Sequence, residues 1–199
     1  MSPRTREAYE RIKGARREEI LTAARRVFAR NGLAATRISD LAAEAHISQG
    51  LLYHYFPDKE ALFTAIVEGA LKSTAALTAG VAQAEGSAWE RLELLCRLML
   101  EGVLESPDYL LVILQTFTSE TVPLDARAAV RRYGEETFKD LVALIGEGQR
   151  EGRVTGGDPV ELAVAFTACI QGAALSHLQG RGWGPTPLRA ETFLRLLQI

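Results

Sequence analysis

Little in this 199-residue sequence offers covalent or metal chemistry. It has two cysteines, Cys96 and Cys169, far apart and each inside an apolar helical pattern. With no C-x-x-C spacing they read as reduced thiols in a helical core, not as a disulfide frame or a thiolate metal site. Its three histidines are His46, His54 and His177, with no ligand spacing among them. G-x-S-x-G, H-E-x-x-H, a P-loop and a strand-borne G-x-G-x-x-G are all missing. Gly156-Gly157 precedes a helix start but has neither the lysine nor the strand of a phosphate cradle. No enzyme activity, no cofactor and no metal are therefore expected. No segment alternates with period two, so no strand is predicted. The N-terminus is basic but lacks a following apolar stretch, so it does not read as a signal peptide. The longest apolar run, Leu162 to Leu175, is broken by Thr167, Gln171 and Gly172 and reads as too short to span a bilayer. The expectation is a cytoplasmic protein with no membrane partner. Net charge is small, −2, but uneven: residues 1–60 carry 11 Lys and Arg against 8 Asp and Glu, and residues 61–199 carry 12 against 17.

Apolar residues make up 47% and charged residues 24%, enough for a sizeable core. Periodicity predicts an all-α chain of about nine helices. Residues 1–15, with Arg4, Arg6, Arg11 and Lys13, read as a flexible basic arm. Residues 16–60 read as one small domain and 61–199 as a second. Helix one places Ile20, Ala24, Val27 and Phe28 on a stripe and ends at Asn31-Gly32, glycine being the usual left-handed terminator. From Asp58 a long helix carries Leu62, Ile66 and Val67 and ends near Gly80. Ser87 with Glu90 forms a capping box for the next. Pro107 opens a short, nearly all-apolar helix to about Ser119. Helices from about Leu124 to Arg150, from Asp158-Pro159 to about Gln179, and from Thr186-Pro187 onward complete the chain, with a loop at Gly180–Pro185.

The stretch from Thr36 to Glu60 organises the first domain. Ile38, Leu41, Ala42 and Ala45 fall at i, i+3, i+4 and i+7. Thr36 stands at an N-cap position, Ser48 at a second and Asp58 at a third. Three helix starts so close together leave room only for short helices at steep angles: the helix-turn-helix plan, whose second helix enters a DNA major groove. On that second helix Leu52 and Phe56 face a small core, leaving Gln49, Leu51, Tyr53, His54 and Tyr55 outside. A Gln amide can pair with adenine and a Leu can contact a thymine methyl. Tyr and His can reach phosphate oxygens, Gly50 permits close backbone approach, and Lys59 lies where a helix start already favours an anion. Read on their own, Tyr53 and Tyr55 fit a core edge equally well.

The run S-Q-G-L-L-Y-H-Y-F-P-D-K-E-A-L-F closely resembles the recognition-helix signature of the TetR family of bacterial transcriptional regulators. Thr36, Leu41, Ala42, Ala45, Ile47, Ser48, Gly50, Tyr53, Phe56, Lys59 and Leu62 stand at matching places, and the resemblance covers about residues 16–66. His46 departs from the family's turn glycine, though His tolerates a left-handed backbone. Tyr55 replaces a common His. The resemblance implies a ligand-responsive transcriptional repressor that binds a palindromic double-stranded operator as a homodimer. It assigns DNA contacts to Thr36, Arg37, Ser48, Gln49, Gly50, Leu51, Tyr53, His54, Tyr55 and Lys59. It also implies that the last two helices pair with those of a second copy, although the same apolar faces suit burial within one chain. A small, largely apolar effector of unknown identity would sit in the second domain. Candidate walls are Trp89, Met99, Phe117, Phe166 and Ile170, and candidate polar handles are Gln115, Thr116, Tyr133 and His177. Residues of each of these kinds are more often plain core than ligand contacts. An architectural, non-specific DNA binder is the competing reading, against which the acidic second domain argues.

Overall fold

The computed structural model describes residues 3–179, 189–195 and 197–198. Among them lie nine α-helices and one isolated bridge between Val154 and Gln198. They are α1 (Pro3–Ala35), α2 (Ile38–Glu44), α3 (Gln49–Tyr55), α4 (Lys59–Ala82), α5 (Ala88–Glu105), α6 (Asp108–Thr118), α7 (Leu124–Arg150), α8 (Pro159–Gln179) and α9 (Ala190–Leu194). The all-α expectation holds. Residues 3–15, expected as a flexible arm, instead form the opening turns of α1. Gly180–Pro185 and Thr186–Pro187 lie outside the described residues. The last helix was expected to continue towards the C-terminus, but α9 stops at Leu194 and Gln198 sits in the bridge.

The chain divides into two compact units, one of residues 1–69 with 111–128, the other of 70–110 with 129–199. This differs from the expected cut after residue 60: the first unit also takes most of α6. Amphipathic period tells which side of a helix is buried, not which element covers it.

In the first unit α1 packs on α2, and α2 on α3. Ile20, Val27, Phe28, Leu41, Leu52, Phe56, Leu62 and Phe63 are all buried. Phe28 and Phe63 meet edge to face, ring centroids 5.3 Å apart. Each such aromatic contributes about 2–3 kcal/mol by leaving water. Arg30 of α1 reaches Glu44 of α2 at 2.7 Å, across the exposed side of that packing.

In the second unit α5 is central, packed against α8 and α9. Leu92, Leu95, Cys96 and Leu100 of α5 share a core with Leu144 and Ile145 of α7, Phe166 and Ile170 of α8, and Phe193 of α9. The expected capping box forms: the Ser87 N–H donates to a Glu90 carboxylate oxygen at 2.8 Å, and the Glu90 N–H donates to the Ser87 hydroxyl at 3.3 Å. The Ser87 N–H and, at 2.9 Å, the Ser87 hydroxyl both donate to that carboxylate and hold it below its ordinary value. Arg91, buried on α5, donates to the last carbonyl of α4, Ala82, at 2.6 Å and to Glu147 of α7 at 2.5 Å. Gly148 permits a close crossing, since a Cβ there would stand 2.6 Å from a Val154 methyl. Burial, and then the carboxylates of Glu191 and Glu93 with Cys169, push the Cys96 thiol up to about 12. Cys96 and Cys169 are both free; Cys96 is buried as expected, whereas Cys169 is only half-buried.

Helix α8 corrects one expectation. Its stretch Pro159–Leu178 is 20 residues long and apolar enough, by length and composition alone, to cross a bilayer. The polar interruptions counted against a span do not outweigh its alanines and aliphatics. One face of the helix, with Ala163, Phe166, Ile170 and Ala174, is buried in the second unit's core, and the other leaves Val160, Val164, Leu175 and Leu178 exposed.

Candidate nucleic-acid interface

The turn between α2 and α3 is closed by the backbone itself. Ala45 ends α2, His46 takes φ 53°, and two amides fold back: His46 N–H to the Ala43 carbonyl at 3.1 Å and Ile47 N–H to the Ala42 carbonyl at 3.0 Å. That is the Schellman arrangement, built here on a histidine in place of glycine. The sequence expectation for His46 is met. Ser48 then caps α3, its hydroxyl accepting from the Leu51 N–H at 3.1 Å.

Helix α3 is seven residues long and has two faces. Leu52 and Phe56, at its C-cap, are buried at 1% and 4% exposure, while Leu51 and Tyr53 stand 38% and 51% exposed. Ser48, Gln49, Gly50 and His54 are also exposed, and Tyr55 is half-buried with its ring edge-on to His54 at 5.5 Å. The guanidinium of Arg17, on α1, lies over the Phe56 ring at 5.1 Å. An apolar anchor of two side chains thus holds a short helix whose other side presents an amide, an aliphatic group, phenols and an imidazole to solvent. Sequence periodicity did not single out Arg17, since an exposed α1 arginine carries no signal of what it covers.

Two expected DNA contacts have other partners. Thr36 is buried at 2% exposure and its hydroxyl donates to the Gly32 carbonyl at 2.6 Å. The N-cap of α2 is Arg37, whose backbone N–H donates to the Asp40 carboxylate at 3.1 Å. Thr36 is therefore a buried linker residue. Lys59 was expected on phosphate, but its ammonium donates to the carbonyls of Leu33, Ala34 and Thr36 at 2.9, 3.3 and 2.9 Å. An ammonium has three hydrogens, and these three carbonyls account for them. Exposed Arg37 lines a cleft of 430 Å³ together with Tyr53, Pro57 and Lys59.

Of the nine candidate ligand residues, six belong to the second unit and three to the first. Phe166 and Ile170 lie in the apolar core of the second unit, with Trp89 and Met99 packed against it. Tyr133 is buried with Ala75 and Ala129, with the Arg132 guanidinium over its ring at 5.0 Å. His177 is exposed. The other three belong to the first unit. Phe117 is 68% exposed there, and the buried Thr116 donates to the Ile113 carbonyl at 2.6 Å. The Gln115 carboxamide is taken by Leu33 and Phe28. A glutamine in an apolar helix signals a polar partner, and here that partner is backbone.

Comparison with known proteins bears on this geometry. Residues 20–66 match the family model described as bacterial regulatory proteins, tetR family. The HTH-type transcriptional repressor KstR2 of Mycobacterium tuberculosis is 28% identical over 160 residues, covering 79% of this chain and 80% of that protein. KstR2 of Rhodococcus jostii is 44% identical over 59 residues, 30% of this chain and 29% of that one. Among solved structures, the ketosteroid transcriptional regulator KstR2 of M. tuberculosis superposes with a TM-score of 0.73 at 23% identity, covering 91% of this chain and 90% of that chain. AibR, solved in complex with isovaleryl coenzyme A and operator DNA, gives 0.71 at 20% identity, covering 90% and 94%. At these identities the structural likenesses establish the fold.

Proposed function

This chain is a transcriptional regulator of the TetR family, and from that premise we propose that it is a dimeric repressor, released from a two-fold operator by a small, largely apolar ligand. The observation that carries the DNA-reading part is the two-faced α3: Leu52 and Phe56 buried, Gln49, Gly50, Leu51, Tyr53 and His54 outside. Gln49 and Leu51 read base edges and methyls, because an amide and a branched aliphatic are suited to adenine and thymine. Ser48, Arg37, Tyr53, His54 and Tyr55 contact phosphates, fixing register without sequence information. Thr36 and Lys59 hold the segment that leads into α2.

The exposed stripe of α8 supports the dimer. Val160, Val164, Leu175 and Leu178 recur along one side with the small residues Ala165, Ala168 and Gly172 near them. A second copy covers it, and a two-fold protein then matches a palindromic operator with half-sites about 34–36 Å apart. KstR2, described as a ketosteroid transcriptional regulator, and AibR, solved with isovaleryl coenzyme A, support an effector with an apolar body. We place it against Trp89, Met99, Phe166 and Ile170, in the second unit. Its effect on the operator equals its differential affinity for the two head spacings. Helix α4, whose residues belong in part to each unit, carries the change. The work is done in the cytoplasm, on double-stranded DNA.

Selection of bound sequences from a random duplex pool at near-physiological salt tests this. An enriched palindrome is the expected result. Enrichment of no sequence, with binding retained, would return the protein to the class of non-specific binders.

A further inference from the structure

The carboxamide of Gln115 fills a place in the first unit that a backbone hydrogen bond ordinarily fills. Helix α1 is interrupted at Gly32, which has φ 75° and ψ 161°. A helix that terminates on a left-handed residue pairs the carbonyl four positions before it with the amide just after it. Those two groups are the Phe28 carbonyl and the Leu33 N–H. Gln115 bridges them, its Oε1 accepting from the Leu33 N–H at 3.0 Å and its Nε2 donating to the Phe28 carbonyl at 2.8 Å. The partners fix which end of the amide is which, because an N–H requires the oxygen and a carbonyl requires the NH2. The extended ψ of Gly32, far from the left-handed helical value of about +47°, opens the gap the amide occupies.

The five residues from Gly32 to Thr36 lead straight into α2. Lys59 and the Thr36 hydroxyl hold their carbonyls, and Gln115 holds the Leu33 amide. We propose that Gln115 is a positioning residue for DNA reading: its inserted amide sets the angle at which the chain leaves α1, and so where α2 and α3 are presented. This rests on the assignment of α3 to DNA. Such a positioning role implies two discrete arrangements of the same atoms. With the amide inserted, Phe28 and Leu33 are bridged. With it withdrawn, Gly32 relaxes to the left-handed helical ψ, and Phe28 and Leu33 bond each other. Only a carboxamide supplies one acceptor and one donor in this order. A thioether supplies neither, and a carboxylate turns a second acceptor towards the Phe28 carbonyl.

The test uses the full-length protein, the duplex obtained by selection, and the variants Gln115→Met and Gln115→Glu. Gln115→Met, of similar length and without either hydrogen bond, is expected to weaken the selected duplex about tenfold, the effect of losing roughly one net hydrogen bond in the reading-competent arrangement. Binding to random duplex stays the same, and hydrogen exchange speeds up in the peptide containing Leu33. Gln115→Glu is expected to behave like Gln115→Met at neutral pH. As the pH falls towards about 5, the introduced carboxyl takes up its proton, donates to the Phe28 carbonyl and restores affinity relative to wild type at the same pH. The Gln115→Met ratio stays flat over that range. Affinity of Gln115→Met within about twofold of wild type, despite faster exchange at Leu33, overturns the proposal, because a net hydrogen bond is worth several-fold more. So does a Gln115→Glu deficit that ignores pH, which also serves if Gln115→Met fails to fold. A wild-type protein that enriches no duplex overturns the DNA assignment itself, and is told apart because wild-type exchange at Leu33 is still slow.

Discussion

Replacing Lys59 separates two roles that the same ammonium cannot fill together. Its hydrogen bonds to the Leu33, Ala34 and Thr36 carbonyls are 2.9, 3.3 and 2.9 Å. A hydrogen bond to a charged donor contributes about 1.5–3 kcal/mol when well made. The sum is discounted because Lys59 is half-buried and the 430 Å³ cleft beside it admits water to the freed carbonyls. We expect Lys59→Ala to cost about 2–3 kcal/mol of stability, read as a fall in the urea midpoint at constant m-value. Lys59→Arg should not rescue it, since a planar fork cannot aim at three convergent carbonyls as an ammonium does. A phosphate contact predicts the opposite pattern: stability unchanged, arginine as good as lysine, and the salt slope of operator binding reduced by about 0.9. Lys59→Arg at wild-type stability, with Lys59→Ala losing that slope, would refute the carbonyl assignment.

Gln49→Ala should weaken the selected operator by roughly 1–3 kcal/mol and relax one base position, measured by repeating the selection with the variant. Equal loss on all duplexes would place Gln49 on the backbone instead. At His46, held at φ 53°, glycine should be neutral or up to about 1 kcal/mol stabilising, while valine should cost about 1–2 kcal/mol or more. Thermal melting ranks the three, and a glycine variant less stable than valine would contradict the geometry. The Cys96 thiol, raised to about 12 by burial, keeps its proton in the folded state at pH values where the unfolded chain has lost it. Its contribution is complete below the ordinary thiol range and fades as pH rises through that range towards 12. Wild type should therefore lose stability above about pH 8.5 more steeply than Cys96→Val. Parallel curves for the two would show the thiol is not responsible.

Sequence reading did best where structure is decided within a few neighbours. The Ser48 cap, the left-handed His46, the break at Gly32 and the Ser87–Glu90 box each depend on residues within one turn, and each is found. It did less well where a polar group's partner lies far along the chain. Thr36 looked like a cap by position, yet its hydroxyl turned back to Gly32 and Arg37 took the cap. Gln115 looked like a ligand handle because nothing local satisfied it, and its partners lie 82 and 87 residues away. The ligand candidates fall in both units for the same reason: periodicity marks a buried side without saying which core it enters. Among the described residues of the first unit, the two-faced α3 was legible because a fixed-spacing signature and helical period agree there.

The first unit is assembled from two separated pieces of chain, residues 1–69 and 111–128. A ribosome makes the first piece before the second, and at about 5–20 residues per second the head waits several seconds for α6 to emerge. During that wait the Leu33 amide and the Phe28 carbonyl lack their carboxamide, and the hinge before α2 is free to close on itself. On the role proposed for Gln115, alignment of α3 for DNA would arrive late in synthesis, although the helix itself is made early. A nascent or prematurely ended chain would then carry α3 without that alignment and compete poorly for the proposed operator.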